Sequence, residues 1–486
     1  MPPTFYWYDY ETFGTDPARD RPAQFAGLRT DEDLNPVGRP LVLYCRPAND
    51  FLPQPEACLI TGITPQQALE KGVCEAEFIA QINAEFSQPE TCVSGYNTIR
   101  FDDEVTRYTL YRNLMDPYAR EWRNGNSRWD LIDVMRLTYA LRPEGIVWPE
   151  RDDGAPSFKL EHLTVANGIE HHGAHDALAD VEATIALARL LKDRQPKLYE
   201  FCFRHRRKSE AWKWLDLKDM RPVLHVSEKY PAKQGCLAVV APLALDPNNP
   251  NGVFVYDLAV DPAQFHHLSV DDLRERLFTR REDLPEGMER LPVKTVRVNR
   301  CPVLAPLEVL RKQDQQRLGI ELAQCLRHLE ALKKHRGFWE GALTELSQSR
   351  EMETLSDPDL MLYSGGFFSD ADRARMARIR ALPPERLGRL ALEFDDPRLP
   401  EMVFRYRARN YPDTLNPEEQ NRWQHFRRQR LLDPSGGASI VWDEFWARLQ
   451  SLRRDSETIQ THKAILKALE DYARMLLPDI HPLPSD

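Results

Sequence analysis

Hydrophobic patterning along the chain predicts an α/β domain in the first part of the sequence. Residues 4–50 have the pattern of strands: an aromatic run at 5–13, followed by segments 24–30 and 41–45, which form a hairpin across a turn signal at 35–38. The next segments are predicted as helices at 76–86, 102–114, 129–141, 158–166 and 177–191, with a short strand at 92–96. Strands mixed with helices imply an α/β domain of nearly 200 residues.

The pattern changes at about residues 194–210, where Pro196 breaks the last helix and a basic run covers 204–208. Residues 220–305 are rich in proline, valine and short extended runs, so we predict a small β-rich domain with helical insertions. From about residue 314 the pattern is helical again, with a linker predicted at 355–359. The predicted domains are therefore 1–195, 196–352 and 353–486, the last one all-α, in line with the length of the chain.

Composition narrows the class of protein. No run of about 18 apolar residues is present, so no transmembrane helix and no membrane partner are expected, and the first residues lack the features of a signal peptide. The net charge of −10 argues against nonspecific coating of nucleic acid by the whole protein. It leaves room for a local basic channel, because binding depends on the charge of a patch and not on the sum.

The eight cysteines are scattered and form no C-x-x-C pair. This spacing argues against a zinc ribbon and against a disulfide scaffold. We expect reduced and mostly buried thiols, as in a cytoplasmic protein.

Two acidic residues at the end of the aromatic run are the first candidate site. Asp9 and Glu11 are two positions apart, and residues i and i+2 of a strand point to the same face. Two carboxylates held that close repel each other unless a cation lies between them, so the pair predicts a divalent metal. The alternative is that both are solvated acids at a strand end.

Two further signals lie at predicted helix starts. Asp102 lies at the start of a predicted helix that follows an apolar strand. It is a candidate site residue, and the alternative is that it only caps this helix. His175 precedes a helix, and Asp180 lies outside the apolar stripe of that helix. The alternative is that His175 is a structural histidine and that Asp180 is a solvated aspartate. Three neighbouring acids are expected only to be solvated: Asp103, Glu104 and Asp176.

Taken together, the D-x-E pair, the N-x-x-x-F-D motif at 97–102 and the H-x-A-x-x-D motif at 175–180 resemble the DEDD exonuclease superfamily, in its histidine-type branch. The resemblance implies a ribonuclease H-like domain in which five residues are catalytic: Asp9, Glu11, Asp102, His175 and Asp180. The four carboxylates would hold two divalent ions, which clamp the attacking and leaving oxygens of a phosphodiester. His175 would be the general base. Mg²⁺ fits oxygen ligands best, and Mn²⁺ should substitute for it.

Longer segments resemble the bacterial exonuclease I family over nearly the whole chain, densely in 5–185 and patchily in 210–300 and 430–486. The segments that carry this resemblance are 9–14, 20–25, 60–65, 95–107, 126–130, 140–145, 157–163, 166–169, 301–305, 365–373 and 406–411. The family implies 3′→5′ degradation of single-stranded DNA to 5′-mononucleotides in repair and recombination. It also implies an SH3-like β-barrel domain, an all-α C-terminal domain and a monomer.

Segment 107–136 interleaves arginines with aromatic residues, as in proteins that bind single strands. The alternative is an amphipathic helix with aromatic core contacts. The motifs place Phe101 and Lys159 near the terminal nucleotides. The full set of candidate substrate contacts is Glu11, Phe101, Arg107, Tyr118, Trp122, Arg136 and Lys159. The basic run 204–208 and the arginines at 405, 407 and 409 are candidates farther along the strand, unless they form solvated faces.

The resemblance also implies a protein partner, the acidic C-terminal tail of single-strand DNA-binding protein, with Arg142 and Arg311 as candidate contacts. Two other functions stay open. An exoribonuclease or oligoribonuclease-like enzyme would share the five catalytic residues but is usually shorter. A repair scaffold with a vestigial site would bind DNA without hydrolysing it.

Overall fold

A computed structural model describes residues 3–171, 176–348, 355–390, 392–454 and 456–478. The chain divides into two compact units, which are described separately below. The first unit comprises Met1–Ser127, His172–Glu182 and Thr354–Asp486, and the second comprises Arg128–His171 and Ala183–Glu353.

The strands and helices of the described residues are numbered in chain order. The strands are β1 (Thr4–Thr12), β2 (Pro22–Thr30), β3 (Leu41–Tyr44), β4 (Thr91–Gly95), β5 (Ser127–Asp130), β6 (Val223–Val226), β7 (Leu237–Leu245), β8 (Gly252–Asp257), β9 (Val293–Arg297) and β10 (Leu304–Ala305). The helices are α1 (Pro55–Thr61), α2 (Pro65–Lys71), α3 (Glu75–Phe86), α4 (Asp102–Arg112), α5 (Leu131–Leu141), α6 (Leu160–Ala166), α7 (Ala177–Arg194), α8 (Pro196–Arg204), α9 (Lys208–Trp214), α10 (Val270–Phe278), α11 (Lys312–Leu318), α12 (Leu322–Lys334), α13 (Arg336–Gln348), α14 (Asp370–Ala381), α15 (Pro384–Leu387), α16 (Leu399–Asn410), α17 (Pro417–Leu432), α18 (Trp442–Arg454) and α19 (Ser456–Leu476).

In the first unit, neighbouring strands run in the order β3-β2-β1-β4, with β1 antiparallel to β2 and parallel to β4. Since successive side chains of a strand point to opposite faces, β1 divides its residues between two sides of the sheet. One side is an aromatic core that includes Tyr6, Tyr8, Tyr10, Phe25, Phe78 and Phe86. Asp9 and Glu11 alternate with these tyrosines and therefore leave the opposite face.

A second core of the first unit joins the start of the chain to its last helices. Phe13 and Phe51 pack in one buried cluster with Trp442, Phe445 and Tyr472. Helices α18 and α19 therefore pack beside the strands that carry the candidate site, because the apolar faces of these helices are buried there.

A buried network of ion pairs also belongs to the first unit. Asp50 Oδ2 lies 2.9 Å from Arg409 Nη2, which in turn lies 2.7 Å from Asp359 Oδ2. Arg405 Nη1 lies 3.0 Å from the same Asp359 oxygen. Burial by itself would raise the pKa of Asp359, but Arg409 and Arg405 outweigh burial and hold that pKa well below its usual range.

This network corrects the prediction for one set of arginines and bears on the predicted linker. The linker predicted at 355–359 stays a prediction, although its last residue, Asp359, is buried and ion-paired. The arginines Arg405, Arg407 and Arg409 neither form a solvated face nor line a strand path, since all three are buried in ion pairs with carboxylates. Alternating arginines on one helix predict a positively charged face. Only the tertiary structure shows whether that face is exposed to solvent or paired with buried acids.

The second unit contains a sheet in the order β10-β6-β7-β8-β9, in which every paired strand is antiparallel. Its core is rich in valine, including Val223, Val240, Val253, Val255 and Val296. The prediction of a β-rich segment with helical insertions at 220–305 is confirmed, with α10 as the inserted helix.

Most predicted elements lie within two or three residues of those observed, but the helices α1, α2, α8 and α9 were not predicted, and the start of the helix predicted at 129–141 is wrong. There the chain forms β5 first, and helix α5 begins only at Leu131. The Asp130 carboxylate accepts a hydrogen bond from the Ile132 amide at 3.1 Å, so this acid is the N-cap that marks the true helix start.

The eight cysteines are free, and six of them are buried, as expected. Within the described residues, none of the helices combines the length and the apolar character that a bilayer crossing requires.

Candidate active site

Three carboxylates from distant parts of the sequence meet in the first unit. Asp9 and Glu11 leave the same face of β1, and Asp180 lies in the first turn of α7. One ligand oxygen from each of these residues lies within 4.8 Å of the other two. The predicted convergence of Asp9, Glu11 and Asp180 is therefore what the described residues show.

Gln24 on β2 aligns the start of α7 with β1. It lies opposite Glu11 in the strand register. Its side-chain oxygen accepts a hydrogen bond from the Ala177 amide at 3.3 Å, one turn before Asp180. Its amide nitrogen donates to the Tyr44 hydroxyl at 3.1 Å, which fixes the orientation of the side chain. This buried glutamine was not identified from the sequence, where nothing distinguishes it from other polar strand residues.

Asp102 comes to the same region from the start of α4. Its Oδ1 accepts a hydrogen bond from the Tyr10 amide of β1 at 3.2 Å. Gly95 permits this approach of β4 and β1, since a Cβ there would lie 2.7 Å from the carbonyl oxygen of Tyr8. The negative charge of Asp102 is felt at Asp9, where it contributes to a raised pKa.

The carboxylates of the site oppose each other's ionisation. Burial is the main cause that raises the pKa of Asp9, followed by repulsion from Asp102 and Asp180. Burial, then Asp9 and Asp180, raise the pKa of Glu11 to about 9. A divalent cation would reverse this repulsion, and the donors are all carboxylate oxygens, which suit hard ions such as Mg²⁺. The residues present thus fit a divalent metal site.

His175, the predicted general base, lies outside the described residues. Its neighbour Asp176 is exposed, as expected, and its carboxylate accepts hydrogen bonds from the amides of Leu178 and Ala179. Asp176 therefore caps the start of α7.

The expectation that Asp103 and Glu104 are solvated is wrong. Asp103 is 1% exposed and accepts a hydrogen bond from the Tyr8 hydroxyl at 2.9 Å. Glu104 is also buried, and it accepts from Arg107 and from the Tyr363 hydroxyl. Consecutive acids at a helix start suggest an exposed first turn, but this turn faces the core beneath β1.

A cavity of about 620 Å³ in the first unit is lined by aromatic side chains. Its lining includes Tyr111, Tyr118, Trp122, Phe367 and Phe368. Trp122 and Phe367 are 64% and 84% exposed, which is unusual for such large apolar side chains. The structure therefore places the predicted contacts Tyr118 and Trp122 together and adds the two phenylalanines. The sequence signal for them was the glycine-glycine-phenylalanine-phenylalanine run at 365–368.

Arg107 lies near this cavity but is buried, with 4% of its residue surface exposed. Its guanidinium donates to both carboxylate oxygens of Glu121, at 2.8 and 3.0 Å, and to Glu104 at 2.9 Å. It also lies 5.6 Å from the ring centre of Tyr118. We therefore revise its predicted role from touching DNA to holding Tyr118 in place.

Phe101 and Glu11 line a second cavity of about 800 Å³ in the first unit. The other lining residues include Arg19 and Arg448, which the sequence did not single out. This cavity opens beside the carboxylate cluster, so the predicted position of Phe101 near the reacting end of a substrate fits the structure.

Arg136 and Lys159 belong to the second unit. Arg136 is buried, donates to Asp133 at 2.6 Å and lies 5.8 Å from the ring centre of Phe158. Lys159 is exposed, with its ammonium 3.6 Å from a Glu161 oxygen. Their contacts with DNA stay predictions.

Arg142 and Arg311 also lie in the second unit, on one face. Arg142 lines an apolar cavity of about 410 Å³ together with Leu137, Leu141 and Phe201. Arg142 donates to the Val309 carbonyl at 3.2 Å, and Arg311 donates to the Leu141 carbonyl at 2.8 Å. Both arginines are about one third exposed at the side chain, and Arg311 is ion-paired with Glu144 at 2.9 Å and with Asp314 at 2.7 Å.

Models of three domain families match this chain. "Exonuclease" matches residues 6–188, "Exonuclease I SH3-like domain" matches 206–347, and "Exonuclease I C-terminal domain" matches 356–476. The predicted fold class is thereby confirmed: an α/β exonuclease domain, an SH3-like domain and a helical C-terminal domain.

Characterised relatives resemble the chain over almost its full length. Exodeoxyribonuclease I of Escherichia coli K12 is 50% identical over 98% of both chains. A moderately thermophilic exonuclease I from Methylocaldum szegediense is 58% identical, with a TM-score of 0.93, over 98% of this chain and 100% of that one. The zinc-bound complex of E. coli exonuclease I with single-stranded DNA is 48% identical, with the same TM-score and coverage.

Proposed function

This chain belongs to the exonuclease I family, and from that membership we propose how its own residues degrade single-stranded DNA. It is an exodeoxyribonuclease that acts on single strands and requires a divalent metal. The observation that carries the assignment of the site is the meeting of Asp9, Glu11 and Asp180, three acids from opposite ends of the nuclease segment, within 4.8 Å.

We assign the metal ligands to four carboxylates. Asp9, Glu11 and Asp180 would hold one Mg²⁺ ion, and Asp9 with Asp102 would hold the second. When bound, the ions supply positive charge at the attacking water and at the leaving oxygen of the scissile phosphodiester. Mn²⁺ has the same preference for oxygen ligands and should replace Mg²⁺.

The remaining chemistry falls to this chain's own side chains. His175 would take a proton from the attacking water, since an imidazole titrates near neutral pH. Phe101, in the cavity beside Glu11, would stack on or wedge against the last base, so that the terminal phosphodiester faces the carboxylates. Hydrolysis at the 3′ end then releases a 5′-mononucleotide.

The aromatic cavity is the proposed path of the strand farther from the reacting end. Trp122, Tyr118 and Phe367 line this cavity, and bases of any sequence can stack on aromatic rings. Such stacking requires unpaired bases, and this favours single strands over duplex DNA.

Digestion of end-labelled oligonucleotides tests this function. With Mg²⁺, we expect a 3′-labelled single strand to lose its label as mononucleotide at once, while a 5′-labelled strand shortens progressively, and EDTA should stop both reactions. Loss of the 5′ label first would contradict the assigned polarity. A matched RNA strand and a blunt duplex are the controls, because equal rates on RNA would favour the exoribonuclease alternative, and equal rates on duplex would exclude single-strand specificity.

We also propose that the acidic C-terminal tail of single-strand DNA-binding protein docks on the second unit. The apolar cavity beside Arg142 can take an apolar side chain of such a peptide. Arg142, which lines this cavity, and Arg311, which donates to the carbonyl of the lining residue Leu141, would supply positive charge for the acidic groups of the tail.

Replacing Arg311 by alanine tests this partner. We expect at least about a tenfold weaker affinity for a fluorescent tail peptide, since a hydrogen bond to a charged group contributes about 1.5–3 kcal/mol. The matched control is Lys213→Ala, which removes an exposed cation that is paired with Glu210 in the same unit. Unchanged affinity of the Arg311→Ala variant would remove this residue from the site.

We propose further that the protein acts as a monomer in the cytoplasm, as its family resemblance implies. Its free thiols agree with a reducing compartment.

A further inference from the structure

Asp103, the neighbour of the proposed metal ligand Asp102, is bonded to two other elements of the first unit. Its Oδ1 accepts a hydrogen bond from the Tyr8 hydroxyl at 2.9 Å and from Arg120 Nη2 at 2.5 Å. The side chains of Asp103 and Arg120 are 2% and 0% exposed, so both charges are removed from water. One carboxylate therefore joins β1, α4 and the segment that carries Arg120.

These bonds lie directly behind the metal ligands. Tyr8 precedes Asp9 on β1 and points to the opposite face of the strand. Asp103 likewise follows Asp102 at the start of α4. The hydrogen bond from Tyr8 to Asp103 therefore fixes the two backbone segments from which Asp9 and Asp102 project. A shift of α4 along β1 would break this bond and would move the two ligands apart.

The same face of α4 makes a second ion pair with the segment that carries Arg120. In this pair the helix supplies the arginine, Arg107, and the segment supplies the acid, Glu121. Asp103 and Arg107 are four residues apart, so they lie on one face of the helix. Their partners Arg120 and Glu121 are adjacent in the short helix Ala119–Glu121. This short helix is flanked by Tyr118 and Trp122 of the aromatic cavity. The helix that presents Asp102 thus also holds the aromatic residues of the proposed strand path.

Stability alone is a poor explanation for this arrangement. A buried ion pair is often no more stabilising than apolar residues of the same volume, because removing both charges from water costs as much as their attraction returns. An additional buried carboxylate beside four acids increases the local repulsion as well. The Asp103 carboxylate fixes the register between β1 and α4, which an apolar side chain would not do.

We propose that Asp103 is a positioning residue that sets the affinity of the site for divalent ions by locking β1 to α4 through Tyr8 and Arg120. The proposal rests on the proposed function, in that Asp9 and Asp102 are taken as metal ligands. It adds a residue that does not touch the ions and acts through the ligands that do. Groups that orient metal ligands in this way typically change metal affinity by about 10- to 100-fold.

The test is a calorimetric titration of the full-length protein with Mn²⁺ alone, without DNA. We expect Asp103→Asn to weaken Mn²⁺ binding by about tenfold or more. Tyr8→Phe, which removes only the hydroxyl, should weaken it by about fivefold, as for the loss of one hydrogen bond. The Tyr8 variant keeps the test decisive if the Asp103 variant does not fold.

Tyr6→Phe is the matched control, since Tyr6 lies on the same face of β1, is equally buried, and packs against Arg29 and Phe86. Its Mn²⁺ affinity should equal that of the wild type. Wild-type affinity in both the Asp103 and Tyr8 variants, or equal weakening in Tyr6→Phe, would overturn the proposal while leaving the proposed function intact. A wild-type protein that binds no Mn²⁺ would overturn both.

Discussion

Replacing Asp9 by asparagine is expected to abolish metal-dependent hydrolysis of single-stranded DNA while leaving the protein folded. Asp9 is the carboxylate assigned to both ions, so its loss removes several kcal/mol of transition-state stabilisation, and each 1.36 kcal/mol is a factor of ten in rate. We therefore expect the rate on a labelled single strand to fall by about a thousandfold or more. Strand binding, measured by fluorescence anisotropy in EDTA, should stay within about twofold, since the aromatic cavity that we propose for stacking is separate from Asp9.

The stability of this variant gives an independent check. Burial and the charges of Asp102 and Asp180 oppose ionisation of Asp9, so an uncharged amide should relieve repulsion when no metal is present. In EDTA we expect the melting temperature of Asp9→Asn to equal or exceed that of the wild type, and added Mg²⁺ should raise the melting temperature of the wild type only. The matched control is Glu77→Gln, an exposed acid on α3 that should leave hydrolysis unchanged. Hydrolysis at the wild-type rate in Asp9→Asn would show that the site is assigned to the wrong residues.

Replacing Asp50 by alanine is expected to cause the largest loss of stability in the first unit. Asp50 is fully buried, and its Oδ2 lies 2.9 Å from Arg409 and 3.7 Å from Arg430. Removal of this carboxylate leaves two buried guanidinium groups with less compensating charge, which typically costs about 3–5 kcal/mol. Urea unfolding followed by tryptophan fluorescence measures this change in the free energy of unfolding.

Asp471→Ala provides the comparison for Asp50. Asp471 forms an exposed ion pair with Lys467 in α19, so its loss should change the free energy of unfolding by less than about 0.5 kcal/mol. A change of similar size for both variants would mean that the buried network contributes no more than a surface pair. The stability of the Asp50 variant should also bear on function, because the network lies in the unit that carries the carboxylate cluster.

Most elements of the fold could be predicted from local sequence. The aromatic alternation of β1 and the turn signal before β3 gave the hairpin, because strand pairing depends on a two-residue period and on turn residues. The error at 129–141 came from an apolar run that fits either a strand or a helix. Only the capping bond of Asp130 distinguishes where one ends and the other begins.

The candidate site was predictable for a different reason. Asp9 and Glu11 share a face because of strand geometry, and the later motifs resemble those of a known superfamily. Their supporting residues were not predictable. Asp103 and Glu104 suggest solvated acids by their sequence, and Gln24 is one polar residue among many. Their roles depend on partners that are distant in the chain: Arg120 is 17 residues from Asp103, and Tyr363 is 259 residues from Glu104.

The sequence by itself predicted which residues carry the chemistry, since the motifs of Asp9, Glu11, Asp102 and Asp180 resemble those of a metal-dependent exonuclease superfamily. Only the tertiary structure decided which charges face a ligand and which face each other. Arg107 and Arg409 illustrate this difference, because both belong to basic segments that resemble DNA-binding surfaces, yet both are buried against carboxylates. The physical reason is that a buried arginine requires a fixed acidic partner, and only the folded chain brings that partner within reach.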